Sequence, residues 1–206
     1  RDINCTLSNL TVSNVAGCGI KISRTGISPA SHTQILNCNV SRCDCGIMLD
    51  TYSEFNMSTN VASQYNYYGV ICKGGNNRFY NCDFSKNNLG VYMPCTNEPN
   101  NAHGIFVGCE IAHSNPDNNG YAVICEGVSK GERFEACTIG FGKIKIKDSK
   151  GIKFSNSGIS KVTLELENST GFIMNSCSVG NSANFKITQT GKNRNTRIIN
   201  CFTSNG

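Results

Sequence analysis

Apolar and polar positions along this chain change places too quickly for helices, and the apolar positions recur in one short frame. The frame is a large apolar residue, any residue, a small residue or Asn, often Cys, any residue, and a second apolar residue. It reads Leu7-Ser8-Asn9-Leu10-Thr11-Val12 and then Ile35-Leu36-Asn37-Cys38-Asn39-Val40. It returns as Phe79-Tyr80-Asn81-Cys82-Asp83-Phe84, Phe106-Val107-Gly108-Cys109-Glu110-Ile111 and Phe134-Glu135-Ala136-Cys137-Thr138-Ile139. Three more copies begin at Phe154, Met174 and Ile198, and a weaker one lies around Thr59 and Val61. Self-similarity at a spacing of about 20 to 28 residues marks a repeat architecture.

The frame carries its own geometry. Cys38 and Val40 are two apart and face one side of a strand, whereas Ile35 and Cys38 are three apart. Both pairs point inward only if the chain bends at the third position. Asn stands there in five of the eight clear copies and Gly in one, the residues that tolerate a left-handed corner. A third short strand, usually led by Gly, follows most copies: Gly19-Ile20-Lys21-Ile22, Gly46-Ile47-Met48-Leu49, Gly69-Val70-Ile71-Cys72 and Gly90-Val91-Tyr92-Met93. Later equivalents start at Val123, Ile144, Leu164 and Phe185.

Three strands per turn cannot bury an apolar side alone, but stacked turns can. At ~4.8 Å per turn the stack is a rod roughly 40 Å long. Cys38, Cys82, Cys109, Cys137, Cys177 and Cys201 are expected to form an interior column, and the corner Asn amides to stack along the axis. The prediction is an all-β, three-sided parallel β-helix of about eight to nine coils, one domain over residues 1–206.

Composition agrees. Among 206 residues there are 28 Asn, 21 Gly and 21 Ser and no Trp, too much turn-forming residue for a helical protein. Charged residues are 16% and hydrophobic ones 38%, so neither a disordered tail nor membrane insertion is expected. The 13 cysteines are an odd number in a chain large enough to need no staples, so they are expected as small reduced core residues. Residue 1 is Arg and both ends are strand-like, which suggests a segment of a longer polypeptide.

The Asn-Cys corner and three-strand coil resemble the right-handed parallel β-helix of the pectate-lyase superfold over essentially the whole chain. The Asn- and Ser-rich coils are most similar to tailspike and tail-appendage proteins of bacteriophages. That resemblance implies a homotrimer in a virion tail, assembled in the host cytoplasm, that recognises a bacterial surface polysaccharide. It also implies alternatives: a hydrolase or lyase of the same fold, a structural shaft, or a bacterial protein of similar shape. Asn-Thr-Asp, Asp-Asp and Gly-His-Gly signatures of polygalacturonases are missing, and Ala102-His103-Gly104 is a partial echo.

In that superfold the strand after the long loop lines the groove, here the Gly-led one. Its outward positions read Lys21, Met48, Ile71, Tyr92, Ile124, Lys145, Glu165 and Lys186. All seven Tyr fall between residues 52 and 121, with His103 and His113 among them. Aromatic planes beside amides and cations suit sugars, which makes Tyr67, Tyr68, Tyr92, Lys73 and His113 the candidate binding residues. Glycoside cleavage needs two carboxyls, and Asp44, Asp50, Glu54, Asp117 and Glu126 are the candidates. Asp50 and Glu126 should lie about three coils apart, roughly 14 Å. A lyase would instead use a base such as Lys73 or His113.

No zinc spacing accompanies Cys43-Asp44-Cys45, and no nucleotide loop or nucleic-acid module is present, so no metal, cofactor or nucleic-acid partner is expected. Residues 141–206 hold 10 Lys/Arg against 3 Asp/Glu. A basic half can face an anionic partner, but the Lys143, Lys145, Lys147, Lys150 and Lys153 alternation also suits the solvent side of strands.

Overall fold

A computed structural model describes residues 4–24, 30–97, 101–114, 120–180 and 185–203. Those residues form a right-handed parallel β-helix with three faces and no helical segment. The first face is a nine-stranded parallel sheet running from Thr6–Ser8 to Arg197–Ile199. The second begins at Thr11–Ser13 and ends at Phe202–Thr203, and the third runs from Cys18–Ile22 to Phe185–Thr190. Strands Thr138–Lys147 and Gly158–Glu167 pass through the corner and serve the second and third faces in turn. Of nine rungs the two end ones are covered on one side only, which leaves about seven enclosed turns, slightly fewer than expected.

The third frame position has a positive φ of 51° to 64° in every copy, at Asn9, Asn37, Asn60, Asn81, Gly108, Ala136, Asn156, Ser176 and Asn200. Asn60 makes the weak copy a full coil. Its inward positions are Ser58 and Ser63, and these small residues lie beneath Phe79 and Phe84, whose rings meet edge to face. The corner Asn side chains turn to solvent, and Asn60 Nδ2 donating to Asn37 Oδ1 at 3.3 Å is the stacked-amide contact the described corners show.

The amide ladders run inside instead. Asn56 Oδ1 accepts the Thr33 N–H and Asn77 Oδ1 accepts the Asn56 N–H; Asn66 and Asn87 do the same for Cys43 and Asn66. Ser149, Ser169 and Asn193 continue the device toward the C-terminus, each oxygen taking an N–H from the coil before. These side chains satisfy backbone groups that the turns leave without a strand partner, which would otherwise be costly to bury.

Apolar side chains fill the rest. Phe79, Phe106, Phe134 and Phe154 stack face to face with centroids 4.3 to 5.0 Å apart, one ring per coil. The expected Cys column is buried except at Cys201, which is half-exposed in the last coil, and no disulfide joins any of the thirteen cysteines. Among the described residues no helix is long and apolar enough to cross a membrane.

One register differs from expectation. Leu164 pairs with Ile187 and Val162 with Phe185, so the last outward position beside Glu165 is Thr188, and Lys186 lies beside Thr163. The through-running strand adds an inward pair, Val162 and Phe185, and a slip of two keeps every side chain on its expected side.

Candidate functional site

Parallel register sets the outer surface of the third face in columns along the rod. One column reads Cys45, Tyr68, Leu89, Tyr121, Lys143 and Thr163, and the next Met48, Ile71, Tyr92, Ile124, Lys145 and Glu165. The middle coils are thus apolar and aromatic on the side facing solvent. There they form an open groove of about 640 Å³, floored by Leu89 and Ile124 and bordered by Tyr67, Tyr68, Tyr92 and Tyr121. Asn88, His113 and Ser114 supply its polar edge.

The rings are held in place. Tyr68 and Tyr92 stack with centroids 5.6 Å apart, and Tyr67, itself 55% exposed, meets Tyr68 edge-on at 4.7 Å. Tyr92 donates its hydroxyl to Glu126 Oε2 at 3.2 Å, and Tyr121 donates to Glu165 Oε2 at 3.4 Å. Burial and the Glu126 carboxylate push the Tyr92 phenol up to about 12, which keeps the hydroxyl protonated and donating to Glu126. A Cβ at position 120 would strike the His113 ring, so glycine there lets the imidazole lie over the backbone.

Four of the five residues expected to bind, Tyr67, Tyr68, Tyr92 and His113, therefore line one groove. Lys73 lies outside it and pairs with Asp50 at 3.8 Å, as does Lys21. Asp44 is exposed and accepts the Gly17 N–H at 2.9 Å, and Glu54 is half-buried in the loop leading to the first face. Asp50 and Glu126 are separated by the coils of Lys73 and Pro94, three spacings or about 14 Å. That exceeds the ~6.5–9.5 Å that an inverting pair spans. Asp117 lies outside the described residues.

Tyr121, Asn88, Leu89 and Ser114 also line the groove and are not among the expected binding residues. Tyr121 stood in the tyrosine-rich region, but its placement two coils from Tyr68 follows only from register. Glu132 was missed altogether. It is 2% exposed, its Oε1 has no hydrogen-bond partner, and burial raises its carboxyl to about 8 despite the Arg133 charge beside it. Among the described residues no group of three His, Cys, Asp or Glu could hold a metal ion.

No protein-family model matches the chain, and no curated protein does. Solved structures do. The chain is similar to the A-module of mannuronan C-5 epimerase AlgE4 from Azotobacter vinelandii, at 12% identity and a TM-score of 0.57, covering 97% of this chain and 57% of that one. It is equally similar to the Agl-KA catalytic domain, at 12% identity and a TM-score of 0.57, covering 98% of this chain and 47% of that one. The chain thus spans about half the length of these structures. At such identity the likeness is one of fold.

Proposed function

We propose that the chain recognises a bacterial surface polysaccharide through the tyrosine groove, as part of a trimeric tailspike or tail-appendage protein of a bacteriophage. The observation that carries this reading is the convergence of four tyrosines, held by their neighbours, on one solvent-open groove. Sugar rings offer flat C–H faces to aromatic planes and hydroxyls to Asn88, His113 and Ser114. The ~4.8 Å rise per coil is close to the length of one pyranose ring, so tyrosines in successive coils meet successive sugars.

Binding is favoured over cleavage because the carboxylates beside the groove are already engaged. Glu126 is held by Tyr92, and Glu165 by Tyr121 and Lys143. Asn- and Ser-rich coils and thirteen cysteines that form no disulfide suit assembly in a reducing bacterial cytoplasm. The test is retention of the chain on immobilised bacterial surface polysaccharides, with polymer length followed in parallel. A polymer held and left intact supports the reading; a polymer shortened replaces it with the enzyme; no polymer held sinks it.

A further inference from the structure

The positive charge of the C-terminal half does not stay together. Lys143, Lys145 and Lys147 go to the third face, where Glu165 and Glu167 pair with them at 3.2 to 3.8 Å. Lys150 and Lys153 pass instead to the first face. Register there aligns Arg78, Ile105, Arg133, Lys153, Ile173 and Arg197 in one outward column, and Lys150 and Arg194 in the row at its edge. Among the described residues none of these cations has a carboxylate within ion-pairing distance. The one acid next to Arg133 on its N-terminal side, Glu132, is turned into the core.

This basic column also has a hollow. A pocket of about 250 Å³ opens where Lys130, Arg133, Lys153 and His103 converge, with Asn76 and the backbones of Gly104, Gly131 and Gly151 completing its wall. His103 is fixed there: its Nδ1 lies 2.7 Å from the Asn101 carbonyl, and a Cβ on Gly75 would collide with its ring. With Nδ1–H donated to that carbonyl, the ring is fixed as one wall of the pocket beside three permanent cations. Glycine-lined backbone admits a compact oxyanion close to the chain.

The geometry points to a second binding site, on the first face, for an acidic polysaccharide: the pocket takes one carboxylate, sulfate or phosphate group, and the column takes the charges that follow. Arg133 and Lys153 stand one coil apart at ~4.8 Å, and Arg78 and Arg197 each follow two coils further along, a spacing that suits a polymer carrying charges at sugar intervals. Nucleic acid is disfavoured because His103 is the one aromatic ring lining the pocket, and single strands are held by stacking bases on aromatic platforms. This site shares no residue with the tyrosine groove and does not rest on that groove's function.

The experiment measures binding of the intact chain to a polyuronate oligomer, to neutral dextran and to a single-stranded oligonucleotide of equal charge. The expected result is polyuronate binding that weakens with salt and falls at least about tenfold in Lys130→Ala/Arg133→Ala/Lys153→Ala, which removes three charge-assisted contacts. Lys153→Gln alone should lose a part of it with an unchanged melting temperature, and Lys145→Ala on the third face should lose none. Equal binding by parent and triple variant overturns the proposal, as does tighter binding of the oligonucleotide or equal competition by dextran. Loss of polyuronate binding in Tyr92→Ala instead would assign the acid to the groove.

Discussion

The third face carries two surfaces on one scaffold. Through the coils of Tyr68, Leu89 and Tyr121 its outer side is aromatic and concave; from Lys143 onward it is a flat ladder of Lys against Glu. Beneath both, the inward residues are of one kind: Val70, Val91 and Val123 in the first stretch, Ile144 and Leu164 in the second. Parallel register makes this separation possible, because alternate residues of each strand face opposite ways. The interior decides the fold and is alike beneath these two stretches; the exterior is free to vary coil by coil, and there the two stretches differ.

If the interior is uniform, equal lesions in the two stretches should cost the same. Phe106→Ala and Phe154→Ala each remove a fully buried ring from the stack, and each should cost about 3–5 kcal/mol in denaturant unfolding. A much smaller loss for Phe154→Ala would show that the ionic coils open independently of the aromatic ones.

Glu132 sits where the two stretches meet, and its burial makes stability depend on pH. Its folded carboxyl titrates at about 8 against the 4.5 of an ordinary glutamate, so between those values unfolding releases a proton. Stability should therefore fall as pH rises through that window and level off above it. Glu132→Gln should flatten the profile and be the more stable protein at pH 9; an unchanged slope in thermal melts would place the titration elsewhere.

Tyr92→Ala should weaken polysaccharide retention by about tenfold, the loss of one aromatic contact with its burial, and Tyr92→Phe should weaken it less. Ala136 occupies a left-handed corner, with φ 51°, where its coil neighbours include Gly108 and Asn156. Ala136→Gly should therefore stabilise by about 1 kcal/mol, read as a raised denaturation midpoint. The smallest effect belongs to the ionic ladder. Lys145 and Glu167 lie 3.8 Å apart and partly exposed, so Lys145→Ala should change stability by less than about 1 kcal/mol.

Legibility followed the same division between inside and outside. The coil could be read because its rule is local: three residues from Ile35 to Cys38 force a bend, and Asn37 can make it. A second left-handed corner could not, because Arg42, Tyr65, Lys86 and Lys161 occupy it with no shared chemistry. The inner amide ladder was sought in the corner Asn and lies in Asn56, Asn77, Asn66 and Asn87, since a side chain at a left-handed corner points outward. Tyr67, Tyr68, Tyr92 and His113 were singled out by clustering, but their convergence depends on coil lengths that the frame does not encode. The split of Lys143–Lys147 from Lys150 and Lys153 turns on the corner at Asp148, φ 48°, which no alternation pattern reveals.

The most direct measurement compares three chains on one panel of bacterial surface polysaccharides: the parent, Tyr68→Ala/Tyr92→Ala, and Lys145→Ala/Glu167→Ala. The account predicts that one polymer retains the parent and the ionic-ladder variant alike, remains intact, and releases the tyrosine variant. Equal retention of all three chains, or retention lost with the ladder and kept without the tyrosines, would contradict it.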